Sequence, residues 1–388
     1  NGAPGFRIHE SFLYNTDLHS TLEQASHLYL AQEEARASAF STPRPSGGLV
    51  LIKEAFDSKF YDFIGCLRFE KMTYKKIQSE LTSYNLNPDI LNDFLCDDAL
   101  VQDNPTAGSW RYFGHACVLI TAGDGTNVLV DPIIASQSAT SAIDRYSYNA
   151  LPEHIDFVVI THNHADHIVI ESLLPLRHRI GTIIVPRNNG GICDPSMKLV
   201  LDSLGFENVV SLETMDTIEK NDVVIRALPF LGEHGDLDIS AKAAWHINSN
   251  GKSFLFAADS NNINPGMYER IRESLGNVDM AFIGMECVGA PMSWVYGPLL
   301  MKPVDRKSDQ SRRLDGSDAE RGISLIERLG CKDVHVYALG REPWLSFIMS
   351  IDDSEDTEQM RQSKMFIKEC HTRGYKADIL FGKSQGII

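Results

Sequence analysis

The 388-residue sequence predicts a layered α+β fold preceded by a smaller, mostly helical region. Two observations carry that expectation. From about residue 106 onward, short β-branched runs alternate with helix-forming stretches, the texture of sheets covered by helices. Before that point strand-like runs are scarce, and Ala, Leu, Glu and Gln, which favour helix, are concentrated. The division expected is therefore 1–105 and 106–388.

Within the first region, "TLEQASHLYLAQEEARASAF" has helical composition, and "STPRPSGGLVLI" is a Pro/Gly/Ser-rich break leading into a short strand. "NPDILNDFLCD" places Asn87 as a helix N-cap with Pro88 at the first helical position. Nothing here gathers ligands or nucleophiles, so an accessory or dimerisation role is expected. The second region opens with two strand-like runs, Trp110–Thr121 and Asn127–Val130, flanking the hairpin turn "AGDG". Further strands are expected in "HIDFVVIT", "GTIIVP", "DVVIRALPF", "SFLFAADS", "VDMAFIGM" and "DVHVYALG". Helices are expected in "PSMKLVLDSLG" and "SDAERGISLIERLG". Neither an internal repeat nor a low-complexity tract is evident.

Composition narrows the function classes. Apolar residues make up 43% and charged residues 23%, the balance of a globular chain. A formal net charge of −16 argues against a nucleic-acid partner, whose phosphates call for clustered Lys and Arg. No apolar run is long enough to cross a bilayer. The amino end, "NGAPGFRIHESFLYN", lacks a basic segment followed by an apolar core, so no secretory signal is expected; "NGAPG" has the look of an expression scar. The seven cysteines are scattered, odd in number and without a CxxC pair, which suits free thiols in a reducing cytoplasm.

Ligand chemistry recurs just after the strands. "THNHADHI" places His162, His164, Asp166 and His167 within six positions, directly behind an apolar run. Residues at i and i+2 converge on one ion while the next two turn toward a second. Asp259 follows another strand, where a carboxylate can bridge two ions. Glu233 and His234 follow "DVVIRALPF", and His335 and Glu342 flank a further strand. Neighbours in an extended segment point to opposite sides, so only one of Glu233 and His234 is expected to reach a metal. His335 shares a face with Tyr337 and Leu339, which is equally the pattern of a core face.

These features, in this order, resemble the metallo-β-lactamase fold superfamily over roughly residues 106–388. The resemblance implies an αββα sandwich with two metals at one edge, and leaves the reaction open. A histidine at the third ligand position would suit a dinuclear zinc hydrolase of lactonase or phosphodiesterase type, with His234 as ligand. A glutamate there gives a carboxylate-richer, thiolate-free shell that suits iron. "GEHGDLDIS", "IGMECVGAPMSWVYGPLL", "QSRRLDGSDAERG" and "YALGREPW" are similar to the diiron β-hydroxylase of chloramphenicol biosynthesis and its relatives. That resemblance implies an O2-dependent monooxygenase of antibiotic biosynthesis that hydroxylates an aminoacyl group held on a peptidyl-carrier protein. An external electron donor and an N-terminal dimerisation domain belong to the same pattern, hence a possible homodimer. It assigns His162, His164 and Glu233 to one iron, Asp166 and His167 to the other, and Asp259 to both. His335 is the expected last ligand, with Glu342 as its alternate. Asp236, Asp238 and Glu286 are expected around the ligands, and Ser293, Trp294 and Tyr296 along a substrate pocket. Arg312 and Arg313 could grip a carboxylate or phosphate, including the arm of a carrier protein. His115, in "FGHACV", is expected near the site without being a ligand.

Overall fold

The computed structural model describes residues 26–28, 50–52, 54–95, 101–136, 142–190, 194–232, 239–289, 305, 307, 316–345 and 356–388. Its centre is a pair of mixed sheets, each of seven strands among the described residues. The first contains β3 (Ser109–Gly114), β4 (Cys117–Thr121), β5 (Asn127–Val130), β6 (Ile155–Val159), β7 (Ile180–Pro186) and β8 (Val209–Leu212). The second contains β9 (Thr217–Lys220), β10 (Val223–Leu228), β11 (Ala244–Ser249), β12 (Lys252–Phe256), β13 (Met280–Gly284), β14 (Asp333–Tyr337) and β15 (Lys376–Ile379). The last strand, β16 (Ser384–Ile387), crosses back to pair antiparallel with β3 and completes the first sheet.

Both sheets are built alike. The first has antiparallel pairs through β5 and parallel pairs from β5 to β8. The second has antiparallel pairs from β9 to β12 and parallel pairs from β12 to β15. The run Trp110–Thr121 is two strands rather than one. Gly114 and His115 take positive φ (116° and 49°) and fold β4 back onto β3. The turn "AGDG" then joins β4 to β5 as expected.

Three apolar layers hold the sandwich together. Trp110, Val118, Val130, Trp245, Phe256 and Phe282 fill the space between the sheets. Over the second sheet lie α5 (Pro265–Leu275), α6 (Ala319–Leu329) and α7 (Glu358–Thr372). In α6, Ala319, Gly322, Ile323, Ile326 and Leu329 are buried at helical spacing. Asp318 caps its start by accepting from the Arg321 N–H, and Gly330 ends it in the left-handed conformation (φ 66°). Over the first sheet lie α1 (Phe60–Phe69), α2 (Tyr74–Ser83), the single turn α3 (Ile170–Leu173) and α4 (Met197–Ser203). Each fully buried Leu or Phe in these layers contributes about 2 kcal/mol of transfer free energy.

The N-terminal helices share the sandwich's own core, since Phe60, Phe63, Leu81 and Leu91 pack in one cluster with Leu129 and Val158. Arg177 ties down α1 and the turn before it. Its guanidinium donates to Asp62 (2.7 Å) and to the carbonyls of Phe56, Ser58 and Leu204. Asn87 caps a 3₁₀ turn over Pro88–Phe94, where the sequence predicts a helix start. One expectation fails: Ser26–Leu28, inside the helix-rich "TLEQASHLYLAQ", is a strand (β1) paired with Val50–Ile52 (β2). Pairing with a β-branched partner overrides a weak local helix preference there.

Candidate metal centre

The loops that carry His162, His164, Asp166, His167 and Asp259 gather at one edge of the sandwich, past the C-terminal ends of its parallel strands. β6 delivers Thr161–His167, β5 delivers Asp131 and β12 delivers Asp259. The Trp245 indole N–H donates to the Ile160 carbonyl (3.0 Å), and the Ala243 N–H donates to the Thr161 carbonyl (2.8 Å). The start of the histidine loop is thus tied across to the second sheet. Four non-glycine residues around this edge have positive φ: His115 (49°), Asp131 (39°), Ala258 (44°) and Ala338 (55°). Backbone strain of this kind costs free energy and persists where the surroundings enforce it, commonly at functional sites.

Asp259 Oδ2 stands 3.7 Å from His162 Nε2 and 3.5 Å from His167 Nε2. Asp166 Oδ2 lies 3.7 Å from His167 Nε2 and 3.0 Å from His115 Nε2. One group of ligand atoms, from His162, His167 and Asp259, lies within 4.8 Å of one another; a second comes from His115, Asp166 and His167. The His164 ring sits 4.2 Å from that of His162, edge to face. All of these side chains are buried.

Burial and the neighbouring imidazoles of His167 and His164 hold His162 well below the usual histidine pKa. It is therefore neutral, with a lone pair to give. Burial opposes charge on His167, but Asp166 and Asp131 outweigh it and raise its pKa well above the usual value. Asp166 is likewise opposed by burial, yet His167 and His115 hold it well below the ordinary carboxylate range.

The expected final ligand is not brought into this cluster. His335 lies within β14 on the face between the sheets, its ring 4.8 Å from Trp110 and 5.0 Å from Phe282. Its Nδ1 bonds Asp378, and its Nε2 faces Asp333 at 3.7 Å. At about 3.3 Å per residue it falls some 10 Å short of the strand-end position of Ala338. Glu342, the alternate, lies beyond the strand end. It is buried, accepts from the Tyr112 hydroxyl through Oε1 (2.7 Å), and leaves Oε2 buried without a hydrogen-bond partner. It packs beside Gly114, next to His115.

Glu286 follows β13. Its carboxylate accepts from the Gly289 N–H and the Gln359 amide, each at 3.0 Å. Burial, reinforced by Asp259, pushes its pKa up to about 7. Glu233, His234, Asp236, Asp238, Ser293, Trp294, Tyr296, Arg312 and Arg313 lie outside the described residues.

Comparison with known proteins decides the family. Residues 1–98 match the diiron non-heme beta-hydroxylase N-terminal domain, and residues 126–305 match the beta-lactamase superfamily domain. The crystal structure of CmlA, a diiron beta-hydroxylase from Streptomyces venezuelae, superimposes with a TM-score of 0.90 at 34% identity. That superposition covers 98% of this chain and 73% of the other. The chain belongs to the diiron non-heme β-hydroxylase family.

Among curated sequences, 4-amino-L-phenylalanyl-[CmlP-peptidyl-carrier-protein] 3-hydroxylase of Streptomyces venezuelae is 43% identical over 272 residues, 70% of this chain. The match spans 51% of that relative's length. A more distant similarity, 25% identity over 187 residues, links the chain to N-acyl-phosphatidylethanolamine-hydrolyzing phospholipase D of Saccharomyces cerevisiae. It covers 44% of this chain and 38% of that one.

The cofactor of the hydroxylase family is a diiron non-heme centre, and the described residues fit one. Asp259 Oδ1 and Glu342 Oε2 are buried without a hydrogen-bond partner, an expensive arrangement unless a cation takes their lone pairs. The donors are imidazoles and carboxylates without a thiolate, a set at home with iron. Two contributors escaped the sequence reading. Asp131, in "VLVDP", reads as an ordinary turn residue, and Thr161 as the last residue of a strand. Only their proximity to the loop histidines in sequence or across the sheet marks them.

Proposed function

We propose that this member of the hydroxylase family inserts one oxygen atom of O2 at the β-carbon of an aminoacyl group held on a peptidyl-carrier protein. The reading rests on one observation above all: a single carboxylate, Asp259, stands between His162 and His167 in a buried, thiolate-free cluster. The activity of the 43%-identical Streptomyces relative supports the substrate class. A diiron pair, when bound, supplies the oxidising chemistry for C–H hydroxylation.

The chain's own residues position and insulate that chemistry. His162, His164 and Glu233 are proposed to hold one iron, Asp166 and His167 the other, with Asp259 shared between them. For the last ligand position the structure favours Glu342 over His335, because Glu342 lies past the strand end with a buried oxygen unpartnered. The Tyr112 phenol, pushed well above its usual pKa by burial and Glu342, stays protonated and keeps one oxygen of Glu342 fixed. Glu286, with Asp236 and Asp238, is proposed to steady the ligands. Trp294, Tyr296 and Ser293 would meet the aminoacyl side chain, and Arg312 and Arg313 the phosphate of the carrier arm. An external electron donor, a cytoplasmic setting and a homodimer complete the reading. Among the described residues, no helix is long and apolar enough to cross a membrane.

Metal analysis with two variants tests the assignment against a dinuclear zinc hydrolase. The expected result is about two irons per chain, lost in Glu233→Ala and retained in His234→Ala. Two zinc ions, with His234 required and Glu233 dispensable, would transfer the chain to hydrolysis.

A further inference from the structure

Tyr337 ends β14 on the face between the sheets and is fully buried there. Its register partner on β13 is Gly284, which has no side chain to block the phenol. The phenol reaches past that strand, and its oxygen accepts from the Ala258 N–H (3.0 Å), in the turn that presents Asp259. The next residue, Ala338, serves the other sheet. Its backbone N–H donates to the His115 carbonyl (2.9 Å), in the turn between β3 and β4. His115 in its turn faces Asp166, with Nε2 3.0 Å from Oδ2. Ala258, Ala338 and His115 all have positive φ, so the two bonds fall on strained backbone that would otherwise relax.

We propose that Tyr337 and Ala338 are positioning residues, a latch that sets the distance between Asp259 on the second sheet and Asp166 on the first. Neither residue supplies an atom to the two groups of ligand atoms. The end of β14 instead joins the turns behind both carboxylates, one through a side-chain oxygen and the other through a backbone N–H. Burial and the Asp131 carboxylate keep the Tyr337 phenol protonated, so phenylalanine in its place removes an acceptor without removing a charge. The Ala258 N–H is then left without its acceptor, and the strained turn is free to move Asp259. The inference rests on the dinuclear reading above.

Co(II) titration of the metal-stripped full chain tests the latch, because Co(II) accepts imidazole and carboxylate ligands and its visible absorption reports their arrangement. The wild type should take up two equivalents. Tyr337→Phe should weaken uptake about 10- to 100-fold, as loss of a partner behind a ligand does, and should alter the visible bands. Phe282→Leu is the control, since its ring lies 5.8 Å from that of Tyr337 in the same apolar layer. It should lower the metal-free melting temperature yet keep wild-type affinity and bands. Wild-type affinity and bands in Tyr337→Phe would overturn the latch alone, and so would an equal loss in Phe282→Leu. Amide hydrogen exchange of the metal-free wild type, resolved by fragmentation in the mass spectrometer, reads the same bonds without a variant. The Ala258 and Ala338 amides should exchange slowly, and rapid exchange at either would overturn the latch. A wild type that takes up no Co(II) would overturn the dinuclear reading and the latch with it.

Discussion

Glu286 stands just beyond β13, close enough to Asp259 for the two carboxylates to oppose each other's charge. Burial and Asp259 raise its folded pKa to about 7 from the ordinary value of 4.5. The folded state therefore binds the proton more tightly than the unfolded chain. Its contribution to stability is present below about pH 4.5 and is lost as pH rises through about 7. In the metal-stripped protein, Glu286→Gln should remove this component and melt higher than wild type at pH 8. Melting curves at pH 5 and pH 8 check it; an unchanged pH dependence would remove the carboxylate from the account. Residue identity was legible at this scale wherever chemistry left a dense local pattern. The histidine loop and Asp259 announce themselves, whereas Asp131 and Thr161 gain meaning only when β5 and β6 lie side by side. His335 shows the opposite failure. Its residue type suits a ligand, but strand alternation turns it into the layer between the sheets, where it packs on Trp110 and Phe282.

Among the elements, β13 and β12 approach too closely at the site for any side chain on Gly284. A Cβ there would lie 2.5 Å from the Ala258 carbonyl oxygen and 3.3 Å from Asp259 Oδ1. Gly284→Ala should thus displace the backbone that presents Asp259 and weaken metal uptake. Equilibrium dialysis reads this directly, and wild-type uptake would show that the strand end tolerates the shift. The docking of α1 rests on Arg177 in the same concrete way. Arg177→Ala leaves Asp62 and three carbonyls without their donor, so a loss of about 3 kcal/mol is expected in urea unfolding. A loss below about 1 kcal/mol would mean that the apolar contacts of α1 suffice. Most strands were legible because continuous apolar runs can be buried on both faces. Polar edge strands such as β9 and β16 carry no such signal. The β3–β4 reversal was hidden because a two-residue turn at His115 and Ala116 interrupts the apolar run without breaking its composition.

For the molecule as a whole, two like-built sheets place their parallel strand ends along one edge, and the loops following β5, β6 and β12 meet there. That convergence explains how His162, His167 and Asp259, spread over about a hundred positions, form one cluster. The layered architecture was legible from the alternation of strand and helix signals. The histidine loop alone left the reaction open, because a loop of this kind serves hydrolysis and oxygenation alike; segments such as "GEHGDLDIS" and "YALGREPW" carried the resemblance to the hydroxylase family to which the chain belongs. The central claim is O2-dependent hydroxylation of a carrier-bound aminoacyl group. Its most direct test is intact mass spectrometry of an aminoacyl-loaded carrier protein after a single turnover of the reduced, iron-loaded enzyme under 18O2. The account predicts that the acyl group gains one labelled oxygen while remaining attached to the carrier. Release of the acyl group at an undiminished rate when O2 is removed, with no label incorporated, would contradict it.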